Sequence, residues 1–202
     1  VIWSCVFTTL FILLIGQRKK LIADVCYLWK NKRQFFSLMA AAFLISINWY
    51  IYIWAVTHDR VLESSMGYYI NPIISVVFGM IFFKEKLSRS TIVALFIALL
   101  GVLVMTVNYG QVPWASLLLA LTFAIYGVLK KRIVLDATRG LAIETLFILP
   151  FALMYYIYLY SNDSMQFLHE GWLTDVLMMI SGIITAIPLI LFAKGAQKIP
   201  MY

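Results

Sequence analysis

Apolar residues in this chain come in long unbroken runs rather than in alternation. Seven stretches stand out, at 1–16, 35–57, 64–83, 90–108, 113–129, 141–160 and 173–193. Each is close to the roughly 20 residues that a helix needs to cross a bilayer core. Backbone N–H and C=O groups in hydrocarbon must pair within their own segment, so each stretch is predicted to be helical. A membrane barrel would alternate apolar and polar residues in short strands, which the pattern excludes. The predicted fold is all-α, a polytopic transmembrane helix bundle with seven spans.

The charges divide by side. None of the 16 Lys+Arg falls inside a stretch. Segment 17–34 carries six, 84–89 three, 130–140 four and the tail after 193 two. On the other side, 58–63 holds only Arg60, and 109–112 and 161–172 hold none. Basic residues collect on cytoplasmic loops. Segments 17–34, 84–89 and 130–140 are therefore expected inside, with 17–34 as a basic loop, and 58–63, 109–112 and 161–172 outside. Tyr155, Tyr156, Tyr158 and Tyr160 at the outer end of the sixth stretch read as an interfacial belt.

Composition narrows the class further. The chain is 63% hydrophobic and 12% charged, against the usual quarter charged in soluble domains. A soluble enzyme, a nucleic-acid-binding domain and a disordered tail are excluded. The net charge of +7 is the topology signal, so no nucleic-acid partner is expected. Cys5 and Cys26 lack metal-ligand spacing and form no disulfide framework. The sequence holds no glycine-rich phosphate loop, nucleophile elbow or metal-ligating cluster, so no cofactor or metal is expected. The first stretch is followed, not preceded, by basic residues, unlike a signal peptide.

Shifting the chain by 138 residues lays 35–57 on 173–195, Trp54-Ala55 on Phe192-Ala193 and Val61 on Ile199. That period holds five spans, and an odd number turns the second copy upside down. Inverted repeats are a signature of secondary transporters. Residues 1–108 are then expected to hold most of a first five-helix repeat, and 113–202 the start of a second. On this reading the chain is a fragment of a ten-helix protein, short of one helix at its N-terminus and two at its C-terminus.

Polar positions inside the spans carry the candidate chemistry. In the third stretch Ser64, Tyr68, Asn71, Ser75 and Gly79 recur at helical spacing. Pro72 cannot donate to the carbonyl of Tyr68, and that carbonyl with the Asn71 amide could meet a substrate. Asn48, Trp49 and Tyr52 lie on the preceding span, Tyr126 and Thr122 on the fifth. Ser181, Thr185 and Pro188 lie on the repeat mate. The expected substrate path is Asn48, Trp49, Tyr52, Tyr68, Asn71, Pro72, Tyr126, Thr185 and Pro188. Intramembrane carboxylates are costly and default to functional candidates, so Glu63 and Glu144 are the candidate proton carriers. The plainer reading of Glu63, Glu144 and Asp175 is an anion near a helix N-terminus, worth ~0.3–1 kcal/mol. Ala42/Ser46, Ala94/Ala98, Ala120/Ala124 and Gly182/Ala186 read as small-residue packing pairs. His58 and His169 fall in outer loops, and His58 with Glu63 has the spacing of an acid/base pair. A lipid-modifying membrane enzyme and a non-transporting sensor are therefore the rivals to a transporter.

One run is more specific than any of these features. Asn48-Trp49 through Trp54-Ala55-Val56, then Val61-Leu62-Glu63-Ser64-Ser65-Met66-Gly67-Tyr68-Tyr69-Ile70-Asn71-Pro72, resembles the RarD-type permeases of the EamA branch of the drug/metabolite transporter superfamily. Phe83-Lys84-Glu85-Lys86-Leu87-Ser88, Pro113-Trp114, Ser116 to Tyr126-Gly127, Lys130-Lys131, Glu144-Thr145 with Pro150, and Thr185-Ala186-Ile187-Pro188-Leu189 extend the likeness over essentially the whole chain. The resemblance implies ten helices in two repeats, a bacterial inner-membrane location and permease activity, with a link to chloramphenicol sensitivity. The expected partners are a small-molecule substrate, the lipid bilayer and a coupling proton or solute, with a homodimer as a further expectation.

Overall fold

Every apolar run becomes a helix in the computed structural model, which describes residues 2–14, 16–162, 167 and 171–198. The helices are α1 (Ile2–Leu14), α2 (Arg18–Lys30), α3 (Lys32–Thr57), α4 (Val61–Phe83), α5 (Arg89–Tyr109), α6 (Trp114–Arg132), α7 (Ala137–Ser161) and α8 (Trp172–Lys198). The described residues contain no strand. The six helices α3 to α8 are long and apolar enough to cross a membrane. The first stretch is shorter, since the 13 residues of α1 rise only about 20 Å.

Segment 17–34 differs from the expected loop: α2 takes up most of it. The cations had marked the segment as cytoplasmic, but Leu21, Asp24 and Leu28 recur on one helical face. Leu28 is buried, and Asp24 meets Arg139 of α7.

Local chemistry sets the ends. Ser88 caps α5 by accepting from the Thr91 N–H, and Asp136 caps α7 by accepting from the N–H groups of Thr138 and Arg139. Such caps satisfy donors that the first turn leaves orphaned. Gly110 ends α5 at φ 74°, a left-handed geometry that costs glycine nothing. Hydroxyls inside the apolar helices turn back on their own backbone, as Thr8, Thr106 and Thr185 do to carbonyls four residues earlier. That local bond lets a polar side chain sit in an apolar helix.

The chain sorts by contact into two units. One comprises Val1–Ala42 and Ile133–Gln197, the other chiefly Phe43–Arg132. Such a grouping reflects packing in space and is a different quantity from a sequence repeat. In the first unit α1 packs on α7, and Leu141, Ala186 and Ile190 form a buried cluster with Phe7 and Leu189 against it. Gln197 donates to the carbonyls of Ile133 and Leu135, and Gln34 accepts from the Val134 N–H. These amides satisfy backbone groups of the short α6–α7 connection.

In the second unit α4 packs on α6 and on α5. Small residues permit the α4–α6 approach. A Cβ at Gly67 would stand 3.2 Å from Leu119 Cβ, and Ala115, Ala120 and Ala124 of α6 are buried. At the far end of this helix pair Lys131 pairs with Glu85, and its ammonium lies over the Phe83 ring. Of the expected packing pairs, Ala120/Ala124 and Gly182/Ala186 are buried, as is Ala42 beside half-buried Ser46, whereas Ala94 and Ala98 are exposed. α5 has no buried residue at all, so spacing alone misplaced that pair.

Candidate functional site

The second unit gathers most of the expected path residues and one of the two candidate proton carriers, in three separate roles. Trp49 and Tyr52 of α3 and Tyr68 of α4 form an aromatic ladder. Trp49 and Tyr52 have ring centroids 6.2 Å apart at 73°, and Tyr52 and Tyr68 6.3 Å apart at 70°. Edge-to-face rings at this spacing attract through their quadrupoles. Trp49 and Tyr68 are exposed and Tyr52 half-buried. Pro72 is exposed one turn along α4 from Tyr68, so the helix lacks one backbone bond beside the ladder. Asn71 is half-buried, and its Oδ1 accepts from the Ser75 hydroxyl at 3.2 Å. The amide hydrogens of Asn71 remain for another acceptor.

Asn48 takes the second role. Its amide donates to the Leu119 carbonyl and to the Thr122 hydroxyl of α6, both at 2.8 Å. It ties α3 to α6, as interhelical amides in lipid do. Tyr126 stands apart from the ladder's exposed rings: it is fully buried, with the Lys130 ammonium 5.7 Å from its ring.

Glu63 takes the third. Its side chain is fully buried. Oε1 accepts from Arg60 Nη1 at 2.9 Å and from the Tyr109 hydroxyl at 2.8 Å. Oε2 accepts from the Ala115 N–H at 3.1 Å. The Ser116 hydroxyl donates to the Glu63 carbonyl at 2.5 Å. The Arg60 guanidinium stands 5.6 Å and 5.7 Å from the rings of Trp54 and Trp114, within cation–π range. One carboxylate thus joins the ends of α4, α5 and α6, with a cation held between two indoles.

His58 and Glu63 are not brought together as an acid/base pair. His58 Nδ1 lies 2.9 Å from the Trp54 carbonyl, and its ring stacks on Trp54 at 4.6 Å. Glu63 is occupied by three donors. His169 lies outside the described residues.

In the first unit Thr185 meets the Ser4 hydroxyl at 2.9 Å, while Pro188 is exposed on α8. Glu144 is buried. It is the eighth residue of α7, beyond the first turn within which a helix dipole acts, so the plain anion-at-a-terminus account fails for it. Asp175, in the first turn of α8, keeps that account.

Sequence reading missed Arg60, Tyr109, Trp54 and Trp114 as a cluster, and Lys130 as a buried residue. Arg60 carried a signal, being the single cation on its side of the chain and three residues before Glu63. Its charge assigns Lys130 to a loop, but it lies buried in the last turn of α6. Among the described residues no cluster of His, Cys, Asp and Glu could hold a metal.

Apolar helices of spanning length with polar positions between them define a polytopic membrane protein. Residues 1–107 match the EamA-like transporter family. The chain is 44% identical over all 202 residues to an uncharacterized transporter of Bacillus subtilis, YojE, and spans 67% of it. It is 35% identical over 201 residues to an uncharacterized transporter of Vibrio cholerae, spanning 65% of it. With Protein RarD of Escherichia coli it shares 34% identity over 199 residues, 98% of this chain and 66% of that one. The chain therefore belongs to the EamA-like transporter family, among its RarD-type members, as a multi-pass protein of the bacterial inner membrane. It spans about two thirds of the length of these relatives. No solved structure matches it.

Proposed function

We propose that this chain forms part of a secondary transporter that carries small organic molecules across the inner membrane. The observation that carries the reading is the Trp49–Tyr52–Tyr68 ladder standing beside the Pro72 break. Exposed ring faces suit a flat or apolar organic solute, and a helix break supplies backbone polarity where lipid would tolerate none. Two inverted five-helix repeats rocking about a midplane site would give alternating access. The sequence has no ATP-binding loop, so an ion or solute gradient is the energy source. Glu63 and Glu144, both buried, are the carboxylates proposed to carry a coupling proton. Chloramphenicol, through the name of one relative, the chloramphenicol-sensitive protein RarD of Pseudomonas aeruginosa, is the first solute to test.

Flux of radiolabelled solutes into vesicles holding the full-length protein tests this reading. Asn71→Leu is expected to leave insertion and detergent stability intact. It should lower flux about tenfold, the weight of one orienting hydrogen bond. Pro72→Ala should restore a helix bond, hold or raise stability, and slow flux. Normal flux in both variants, at normal expression, would make the pair a packing feature and move the path elsewhere.

A further inference from the structure

Helix α2 has more chemistry than its place in the fold uses. It is joined to α3 through Asn31 alone and to α1 by a short turn, so its depth is set by two apolar helices. Its inner face is spent on Leu28, which is buried, and on Asp24, which pairs with Arg139. About a quarter-turn away, Ile22, Val25 and Trp29 recur at i, i+3 and i+7. They are 54%, 43% and 78% exposed. Trp29 touches the edge of Phe35 at the start of α3, with centroids 6.4 Å apart. Lys19, Lys20, Ala23, Cys26 and Lys30 are exposed on the remaining surface. Segment 17–34 carries six cations against one carboxylate, and that carboxylate already has its arginine.

We propose that α2 lies along the cytoplasmic membrane interface and binds anionic phospholipid. The stripe of Ile22, Val25 and Trp29 enters the acyl boundary, and the lysines meet headgroup phosphates. The apolar stripe accounts for contact with lipid in general. The excess of cations selects the anionic headgroup, since each Lys or Arg near such a surface gains from its potential. Tryptophan at one end of the stripe suits the headgroup boundary. Arg18 occupies the same stripe one turn before Ile22, where its stem can lie on lipid while its guanidinium reaches the phosphates. Attachment at both ends to apolar helices holds α2 at this depth. A soluble partner would need it free of the membrane surface. The proposal does not depend on what the protein transports.

A nitroxide scan of the full-length protein tests it. With native cysteines replaced, Cys5→Ala and Cys26→Ser among them, single labels go at 19, 22, 23, 25, 26, 29 and 30. The protein is placed in phosphatidylcholine vesicles with or without about a quarter phosphatidylglycerol. Labels at 22, 25 and 29 should collide with oxygen. Labels at 19, 23, 26 and 30 should collide with a water-soluble nickel complex, giving a helical period. Nickel access at all seven positions, or the opposite phase, would overturn the proposal. In the second arm, spin-labelled phosphatidylglycerol should be enriched over phosphatidylcholine around the protein. The Lys19→Gln/Lys20→Gln/Lys30→Gln variant should lose that enrichment by about tenfold or more while keeping its melting temperature. Equal enrichment of the two lipids by the unaltered protein, or an enrichment that the variant retains, would also overturn it.

Discussion

Glu63→Gln should lower the detergent stability of the full-length protein by about 3 kcal/mol, a drop of roughly 10 °C in melting temperature for a chain of this size. The carboxylate is fully buried and accepts from Arg60, Tyr109 and the Ala115 backbone. A glutamine keeps one acceptor oxygen but turns an amide donor toward groups that are themselves donors. The Arg60 cation then stays between Trp54 and Trp114 without its counter-charge. Breaking one side of a buried pair usually costs about 3–5 kcal/mol. The lower end applies because the Arg60 side chain is 34% exposed and water can screen it. Tyr109→Phe should cost about 1–2 kcal/mol, as loss of one bond to a charged acceptor does. The two changes should combine for less than their sum, since both act on the Tyr109–Glu63 bond. Thermal unfolding of both single variants and the double variant reads this directly. If Glu63→Gln keeps its melting temperature and instead uncouples flux from the proton gradient, Glu63 is a carrier and the clasp is incidental.

The contrast between Glu63 and the aromatic ladder shows what the sequence exposed and what it hid. The apolar helices were legible because lipid enforces one rule on every spanning segment, and apolar length is its direct imprint. Lys32 and Arg33 show the limit. They lie in the first turn of α3, outside the apolar stretch, because a helix continues past the hydrocarbon while hydropathy does not. α2 was hidden for the same reason: in an average over segment 17–34 the six cations offset its eight hydrophobic residues, though spacing carries its helical face. At the site, Trp49, Tyr52 and Tyr68 were named from type and spacing alone, and the fold brings them together. Asn48 was named with them, but its amide is spent on α6. Spacing places a residue on a face of its own helix and is silent on which neighbour that face meets. Ala94 and Ala98 fail by the same logic, sharing the spacing of Ala120 and Ala124 on a helix with nothing buried.

Gly182→Ala should destabilise the protein by about 1–3 kcal/mol, although alanine is the better helix former by about 1 kcal/mol. A Cβ at Gly182 would stand 2.5 Å from the Trp3 carbonyl carbon, 2.7 Å from Trp3 Cβ and 2.8 Å from the Ser4 nitrogen. Two of these atoms are backbone, so no rotamer change relieves the clash. The helices must separate instead, and the nearby Ser4–Thr185 hydroxyl bond of 2.9 Å would open with them. Close backbone approach through a small residue drives helix association in lipid, where apolar burial drives nothing. Gly195→Ala on the same helix is the control, because a Cβ there meets nothing within 4 Å. That variant should hold or gain stability, since only the propensity term acts. Trp3→Ala should not rescue Gly182→Ala, because the nearest obstruction is the Trp3 main chain. Melting curves of the four proteins in one detergent decide the matter. Equal stability of the Gly182 and Gly195 variants would show that α8 can shift to admit a methyl group, and that the approach of α8 to Trp3 carries little of the packing energy.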